Sequence, residues 1–460
     1  MIALLAATGA TRAWRLRKFE LLAASYLFYA AWNPVFIWLL VISTVVDWQA
    51  ARRLHLADTP AARRGWLALS LVVNLGLLGW FKYGDFLIAN YNALLEGLGL
   101  GLSYRAPALD LILPIGISFY TFQTLSYTLD VYRRRIAPGS DFADYALYVS
   151  FFPQLVAGPI VRYEQFAGQL AEPRRPGRTD LELGVALIVA GLFLKSTLAD
   201  SLFAPVVDGG FAAAGSNGAL TAWTAITAFS GQIYCDFAGY SLCAIGAARC
   251  FGFRLPKNFH APYAAVGLSD FWRRWHISLS TWIRDYLYIA LGGNRHGRTR
   301  TLRNLLIAMG LGGLWHGAAW TFVLWGLAHG GWLVLEHSLK PLAVRLPLLG
   351  HAALMPLYAL LTFIVVTLTW VLFRAADLAQ AGAFFGDLVR LDASTLDPAG
   401  WLALAMMAAL LIWHAVIRRI EIDRVYADLP WPVRGGMVGL LLAAVLLSPG
   451  EHRAFIYFQF

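Results

Sequence analysis

Two histidines in apolar, tryptophan-rich surroundings are the residues of this chain best suited to chemistry. His276 lies in the run Asp270-Phe-Trp-Arg-Arg-Trp-His-Ile-Ser-Leu-Ser, and His316 lies in Gly312-Gly-Leu-Trp-His-Gly-Ala-Ala-Trp. An imidazole in a membrane segment is costly unless it lines a cavity or has a polar partner, so each is a candidate functional residue. Near neutral pH an imidazole can accept or donate a proton, as a general base or acid does.

The surroundings of His276 leave a structural role open. As a helix, 270–290 would place Arg273, His276, Ser280 and Arg284 on one flank, opposite an apolar stripe. Such a helix can line a polar groove, or it can be an ordinary interfacial helix with its basic side in water.

The surroundings of His316 are equally ambiguous. Helical spacing puts Gly312, Gly313, Trp320 and Val323 on the same side as His316. The two glycines would leave room for a ligand, or they would let a neighbouring helix approach closely.

Other polar residues within apolar stretches are expected to be structural. His329 points elsewhere on a continuous helix, Asp236 suits a hydrogen-bond anchor between helices, and Lys195 can pair with Asp200. No zinc-ligand cluster, P-loop, nucleophile elbow or dinucleotide fingerprint is present, so we expect no bound metal or cofactor. Three cysteines without metal-ligand spacing fit small core residues: Cys235, Cys243 and Cys250.

The composition predicts an all-α polytopic integral membrane protein. The chain has 460 residues, 59% hydrophobic and 14% charged, which excludes a soluble enzyme of this length. Apolar runs long enough to cross a bilayer predict a single domain, 1–460, with a bundle of about 11–12 helices. The runs are 19–33, 35–47, 66–82, 109–130, 142–161, 183–204, 220–250, 303–324, 325–339, 351–373, 399–417 and 432–448.

Short and interrupted segments predict an internal cavity. Proline and glycine break several runs, and broken helices at membrane depth need protein or a water-filled cavity around the freed backbone groups. The amphipathic segment 256–300 is expected to lie at the interface or to re-enter the membrane. It carries the first histidine, 303–339 carries the second, and 92–108 is expected to be a loop.

The positive charge fits membrane topology better than nucleic-acid binding. The net charge is +10, from 37 Lys and Arg against 27 Asp and Glu. Basic residues cluster between apolar runs, as the positive-inside rule expects of cytoplasmic loops, so we expect membrane lipids and no nucleic acid as partners. The clusters lie at 12–18, 52–64, 133–135, 174–178, 295–303 and 418–419.

Several long collinear motifs resemble the membrane-bound O-acyltransferase family, and within it the bacterial alginate and other polysaccharide O-acetyltransferases. The motifs begin at Pro114, Phe152, Tyr234, Asn258, Asp270, Leu314 and Phe455. The resemblance implies short, broken or re-entrant helices around a central tunnel, with the invariant histidine at His316 and a second active-site histidine at His276. Further tunnel residues would be Arg273, Ser280, Trp315, Asp236 and Asn258. One departure is Ser241-Leu-Cys, where relatives have Ser-Asp.

The resemblance further implies transfer of an acetyl group from cytoplasmic acetyl-CoA, or another acyl thioester, to an oxygen on the outer side. His316 would be the general base. His276 would orient the acceptor, hydrogen-bond the oxyanion or protonate the thiolate. The acceptor would be an exported polysaccharide such as alginate, reached directly or through periplasmic acetyltransferase partners, by a multi-pass protein of the bacterial inner membrane. Alternatives are D-alanyl, peptidoglycan or cellulose acyl transfer within the family, and a non-enzymatic membrane transporter.

Overall fold

Helices make up the regular structure of the chain. The computed structural model describes residues 1–100, 106–109, 111–156, 158–345, 352–391, 395–448 and 453–455, and at 340–345 and 352 it describes the backbone alone. Within these residues there is no β-strand, which confirms the all-α prediction. The motif at the end of the chain lies outside the described residues beyond Phe455.

Five helices among the described residues are long and apolar enough to cross a membrane. This confirms that the chain is a multi-pass membrane protein. The five segments are Pro34–Leu56, Pro60–Gly97, Arg178–Ala212, Met355–Arg374 and Pro398–Ile417.

The first of two compact units comprises 1–177 and 248–255. A buried polar network joins its two long helices: Asn74 Nδ2 donates to Asp47 Oδ2 over 2.8 Å, and Ser43 Oγ donates to Asn74 Oδ1 over 2.6 Å. Such networks are favourable in an apolar interior only when their members are satisfied. The helices of this unit are Ile2–Ala10, Trp14–Ala30, Ile37–Leu56, Pro60–Gly97, Ile117–Tyr132, Phe142–Ser150, Phe152–Leu155 and Tyr163–Leu170.

The second unit comprises 178–247 and 256–460 and contains both candidate histidines. Its α-helices are Arg178–Leu192, Ala204–Ala212, Ala219–Cys250, Leu268–Phe271, Ile277–Trp282, Arg298–His316, Trp320–Arg345, Met355–Arg374, Leu378–Asp387, Pro398–Ile417, Ile422–Asp428 and Trp431–Leu447. Helix Ala219–Cys250 runs on into the first unit at its end. Two stretches are π-helical, Phe193–Phe203 and Ile283–Tyr288.

The continuous helix predicted over 270–290 is wrong, because the chain bends at His276. This residue has φ +42° and ψ +54°, in the left-handed region, and it precedes the helix Ile277–Trp282. A side chain in that region costs roughly 1–2 kcal/mol. The Ile277 N–H donates to the carbonyl oxygen of Asn258 over 2.9 Å, which helps to hold the bend. The predicted apolar stripe and polar flank therefore do not exist as a single helix surface.

Two other predicted boundaries also differ. The run 303–324 is not one helix, because the helix ends at His316 and the next begins at Trp320, whose side chain is 52% exposed. Trp320 and Val323 therefore do not share a helix face with His316. The segment 92–108 is helical as far as Gly97, so the predicted loop begins later.

Gly313, on the helix that ends at His316, serves close packing rather than ligand space. Helices Arg298–His316 and Trp320–Arg345 pack against each other. A Cβ atom on Gly313 would overlap the carbonyl oxygen of Phe322 and lie 3.0 Å from the Cα atom of Gly326. Small residues at such crossings allow two backbones to approach within van der Waals contact.

This close approach predicts that Gly313→Ala destabilises the second unit. The added methyl group meets backbone atoms that cannot rotate away, so we expect a loss of about 1–3 kcal/mol, seen as a lower midpoint of thermal unfolding in detergent. Gly331→Ala is the matched control on the next helix, because a Cβ atom there meets nothing within 4 Å. Equal midpoints for the two variants would contradict the packing role.

Candidate active site

His276 is held by the side chain of Asn258. The ring is fully buried, and its Nδ1 atom lies 3.2 Å from Asn258 Oδ1. The same oxygen accepts hydrogen bonds from the hydroxyl of Ser278 over 2.8 Å and from its backbone N–H over 3.3 Å. Asn258 Nδ2 donates to Ser241 Oγ over 3.1 Å. One amide therefore joins three segments of the second unit.

These contacts define the tautomer of His276. The backbone N–H of Ser278 can only donate, so the Asn258 atom facing it is the carbonyl oxygen, and His276 Nδ1 must carry the proton toward that oxygen. Burial lowers the pKa of His276 to about 3, because desolvation disfavours the imidazolium. At neutral pH the ring is uncharged, and the lone pair is on Nε2.

His316 lies in a cage of aromatic rings at the end of its helix. The ring is 2% exposed. Its centroid lies 5.0 Å from that of Trp315, 5.1 Å from that of Trp325 and 5.4 Å from that of Phe373, all edge to face. Rigid aromatic walls of this kind fix the imidazole without charging it.

Trp315 links the two histidines. Its ring centroid lies 6.0 Å from that of His276 and 5.0 Å from that of His316. The structure thus brings together His276, His316, Trp315 and Asn258, four of the residues that the sequence indicated. Their side chains form one buried centre.

Two other predicted tunnel residues, Arg273 and Ser280, contact neighbours outside this centre. The side chain of Arg273 is 71% exposed and lies 3.9 Å from Asp270. Ser280 Oγ donates to the backbone oxygen of Trp275 over 3.1 Å. Their predicted place on a flank shared with His276 depended on the helix that the bend interrupts.

Asp236 belongs to a buried ion-pair cluster. Lys195 Nζ lies 2.5 Å from Asp236 and 2.7 Å from Asp200, which confirms the predicted Lys195–Asp200 pair. Asp208 pairs with Arg374 over 2.8 Å and also with Arg453. These two clusters face a cavity of about 400 Å³, which is also lined by Gln232 and Ala454.

Two residues that line the charged cavity are sequence neighbours of aromatic residues whose rings pack on the histidines. Phe237 follows Asp236 and packs edge to face on His276, with centroids 4.6 Å apart. Phe373 precedes Arg374 and packs on His316. Each imidazole therefore contacts an aromatic ring whose neighbour in sequence lines the polar cavity.

Sequence reasoning missed several residues of this site. Phe373 and Arg374 end an apolar run that looked like a plain membrane span. Trp325 belongs to a separate helix, and helical spacing from His316 therefore does not locate it. The available signal for the cavity was the presence of charged residues inside two apolar runs, at Lys195, Asp200 and Asp236.

Comparisons with a family profile and with individual known proteins point to the same family of membrane enzymes. The profile of the MBOAT, membrane-bound O-acyltransferase family matches residues 121–373. The chain is 39% identical to "Probable alginate O-acetylase AlgI" of Azotobacter vinelandii over 90% of this chain and 81% of that protein. It is 41% identical to the Pseudomonas aeruginosa protein of the same name, over 80% and 68% of the two chains. It is 38% identical to "Peptidoglycan O-acetyltransferase" of Helicobacter pylori, over 82% and 75%.

The Lys195 cluster yields a stability prediction. Lys195→Met leaves the buried carboxylates of Asp200 and Asp236 without their shared cation, so we expect a loss of about 3–5 kcal/mol, measured by thermal unfolding in detergent. The triple variant Lys195→Met, Asp200→Asn, Asp236→Asn removes all three charges and should recover most of that loss. A single variant as stable as the wild type would show that the cation does not stabilise the pair.

Proposed function

The chain belongs to the membrane-bound O-acyltransferase family and is an O-acyltransferase; from this premise we propose that it moves an acetyl group from acetyl-CoA to a hydroxyl of an exported polysaccharide. The observation that carries the proposal is the centre formed by His276, His316 and Trp315. Its two buried imidazoles suit proton transfer, and similarity to alginate O-acetylases over most of the chain favours acetyl as the group transferred.

In the proposed reaction His316 is the general base. It takes the proton of the acceptor hydroxyl as the oxygen attacks the thioester carbonyl carbon, because a neutral hydroxyl is a poor nucleophile near pH 7. The carbon–sulfur bond then breaks, and the thiolate takes the proton from His316. The products are the O-acetyl ester and the free thiol, and the base returns to its starting form.

The tautomer of His276 selects one of its three expected roles. With Nδ1–H donating to Asn258 and a neutral ring, Nε2 can accept a hydrogen bond but cannot donate one to an oxyanion or a thiolate. We assign His276 to orienting the acceptor, by accepting a hydrogen bond from a polar hydrogen beside the reacting hydroxyl.

The charged cavity gives the acceptor a polar approach. Lys195 and Asp236 on one side and Arg374 on another present both donors and acceptors, which suits a hydroxyl-rich ligand. By the positive-inside rule the basic start of helix Arg178–Leu192 is cytoplasmic, so its continuation toward Asp208 leads to the outer side. We propose that acceptors enter there, from a protein in the bacterial inner membrane, either directly or on a periplasmic partner protein.

Peptidoglycan is the second candidate acceptor. The similarity to the Helicobacter pylori peptidoglycan O-acetyltransferase, at 38% identity, favours it specifically. Mass spectrometry of exported polysaccharide and of peptidoglycan, from cells with and without the gene, separates the two. Loss of acetyl ester from only one polymer identifies the acceptor.

The proposed base predicts that His316→Ala abolishes transfer. We expect acetylated product to fall by about 10²–10⁴-fold, measured by mass spectrometry of the polymer, with equal amounts of variant in the membrane. His337→Ala is the control, since this half-buried histidine lies more than three helical turns beyond Trp325, which packs on His316. Normal acetylation by a correctly inserted His316→Ala protein would refute the assignment.

The Asn258 hydrogen bond predicts a graded effect on transfer. Asn258→Ala frees the His276 ring to rotate, and we expect about 10–100-fold slower transfer, by analogy with residues that orient metal-bound histidines. Asn258→Asp keeps an acceptor oxygen but adds negative charge, which raises the pKa of His276 and should move the acidic limb of the pH–rate profile to higher pH.

Ser241→Ala is the control for Asn258, because it removes the partner of Asn258 Nδ2 and leaves the bond to His276 intact. Two results together would mean that Asn258 has only a structural role. The pH–rate profile of Asn258→Asp would match that of the wild type, and Asn258→Ala, Asn258→Asp and Ser241→Ala would all be equally slow.

A further inference from the structure

An apolar groove in the second unit is separate from the charged cavity. It has a volume of about 490 Å³ and lies among helices Arg178–Leu192, Ala219–Cys250, Pro398–Ile417 and Trp431–Leu447. Apolar side chains from all four helices and from the π-helical stretch Phe193–Phe203 line it: Leu187, Leu194, Ile245, Met406, Leu410 and Leu441. Its volume is in the range of sites that hold small molecules.

Loose packing of the last long helix leaves this groove open. None of the residues of Trp431–Leu447 is buried, and the helix packs against Arg178–Leu192 and the π-helical stretch after it. Trp413 also lines the groove and is 49% exposed. The walls therefore face the hydrocarbon of the membrane rather than another part of the described protein.

The groove has a charged end and a polar patch on its inner wall. At one end Lys257 and Asp423 form a loose ion pair, 3.5 Å apart, with the side chains 45% and 36% exposed. Ser241 and Asn258 form part of the inner wall. A long apolar ligand with an anionic head group would match this order of surfaces.

Topology places the charged end in the cytoplasmic leaflet. Helix Pro398–Ile417 ends just before Arg418 and Arg419, and helix Arg178–Leu192 begins in a basic loop. Both features are cytoplasmic by the positive-inside rule. That leaflet carries anionic lipids, and a lysine near its surface attracts them by about 1 kcal/mol.

We propose that this groove is a binding site for an anionic phospholipid of the cytoplasmic leaflet. One acyl chain lies along Leu187, Met406 and Leu441, and the phosphate pairs with Lys257 in competition with Asp423. The lipid then packs against the inner wall that contains Asn258, behind the residue that holds His276. This inference does not depend on the identity of the acyl donor or acceptor.

Native mass spectrometry of the full chain, released from nanodiscs of equal phosphatidylglycerol and phosphatidylcholine, tests the site. The wild type should retain one phosphatidylglycerol. Ala409→Trp fills the groove and should abolish retention, whereas Ala408→Trp, the same change at an exposed neighbour that does not line the groove, should not. Equal retention in both variants, or loss in both, would overturn the proposal.

The head group has its own matched pair of variants. Lys257→Gln should reduce the preference for phosphatidylglycerol over phosphatidylcholine by about fivefold. Arg424→Gln removes an equal charge from a side chain that is 84% exposed and does not line the groove, and it should leave the preference unchanged. A wild type that retains both lipids equally, or an equal effect of both variants, would contradict the role of Lys257.

Discussion

The hydrogen bond between Asn258 and His276 is the interaction on which the site depends. An imidazole in a dry interior must be neutral and must have a partner, because burying its charge or leaving its N–H unsatisfied costs free energy. Asn258 Oδ1 meets that need and is itself fixed by Ser278 and Ser241. The same residue also takes a backbone hydrogen bond from Ile277, which follows the left-handed bend. Asn258 therefore sets the position and tautomer of His276 through its side chain, and it helps to hold the local chain direction through its backbone carbonyl.

The rest of the second unit separates charge from the histidines. Charged residues around Lys195 and Arg374 are paired with one another at the wall of a polar cavity, while Phe237 and Phe373 present apolar rings to the imidazoles. Burial keeps the His276 ring uncharged, and hydroxyl-bearing molecules still have polar surface nearby. Close glycine contacts at Gly313 hold the helix that ends at His316. Helix packing and ion pairing therefore both help to position the two buried histidines.

Much of this architecture follows from sequence, and the exceptions have physical causes. Apolar run length predicts the helical membrane protein, and motifs single out His276 and His316. Helical periodicity fails at His276 because the Asn258 hydrogen bonds hold a left-handed bend that no pattern in 270–290 reveals. Spacing could not locate Phe373 or Arg374, since their contacts with His316 and Asp208 join segments far apart in the chain. Local patterns predict elements, whereas such contacts depend on how the elements pack.

We propose that this chain catalyses acyl transfer to oxygen across a membrane at the paired histidines. The most direct measurement uses the purified chain in sealed proteoliposomes, with acetyl-labelled coenzyme A outside and an oligosaccharide acceptor inside. We expect label to appear as an ester on the enclosed acceptor, with one free thiol released outside for each ester formed. Entry of label without ester formation, or a rate of thiol release that does not depend on the acceptor, would contradict the account.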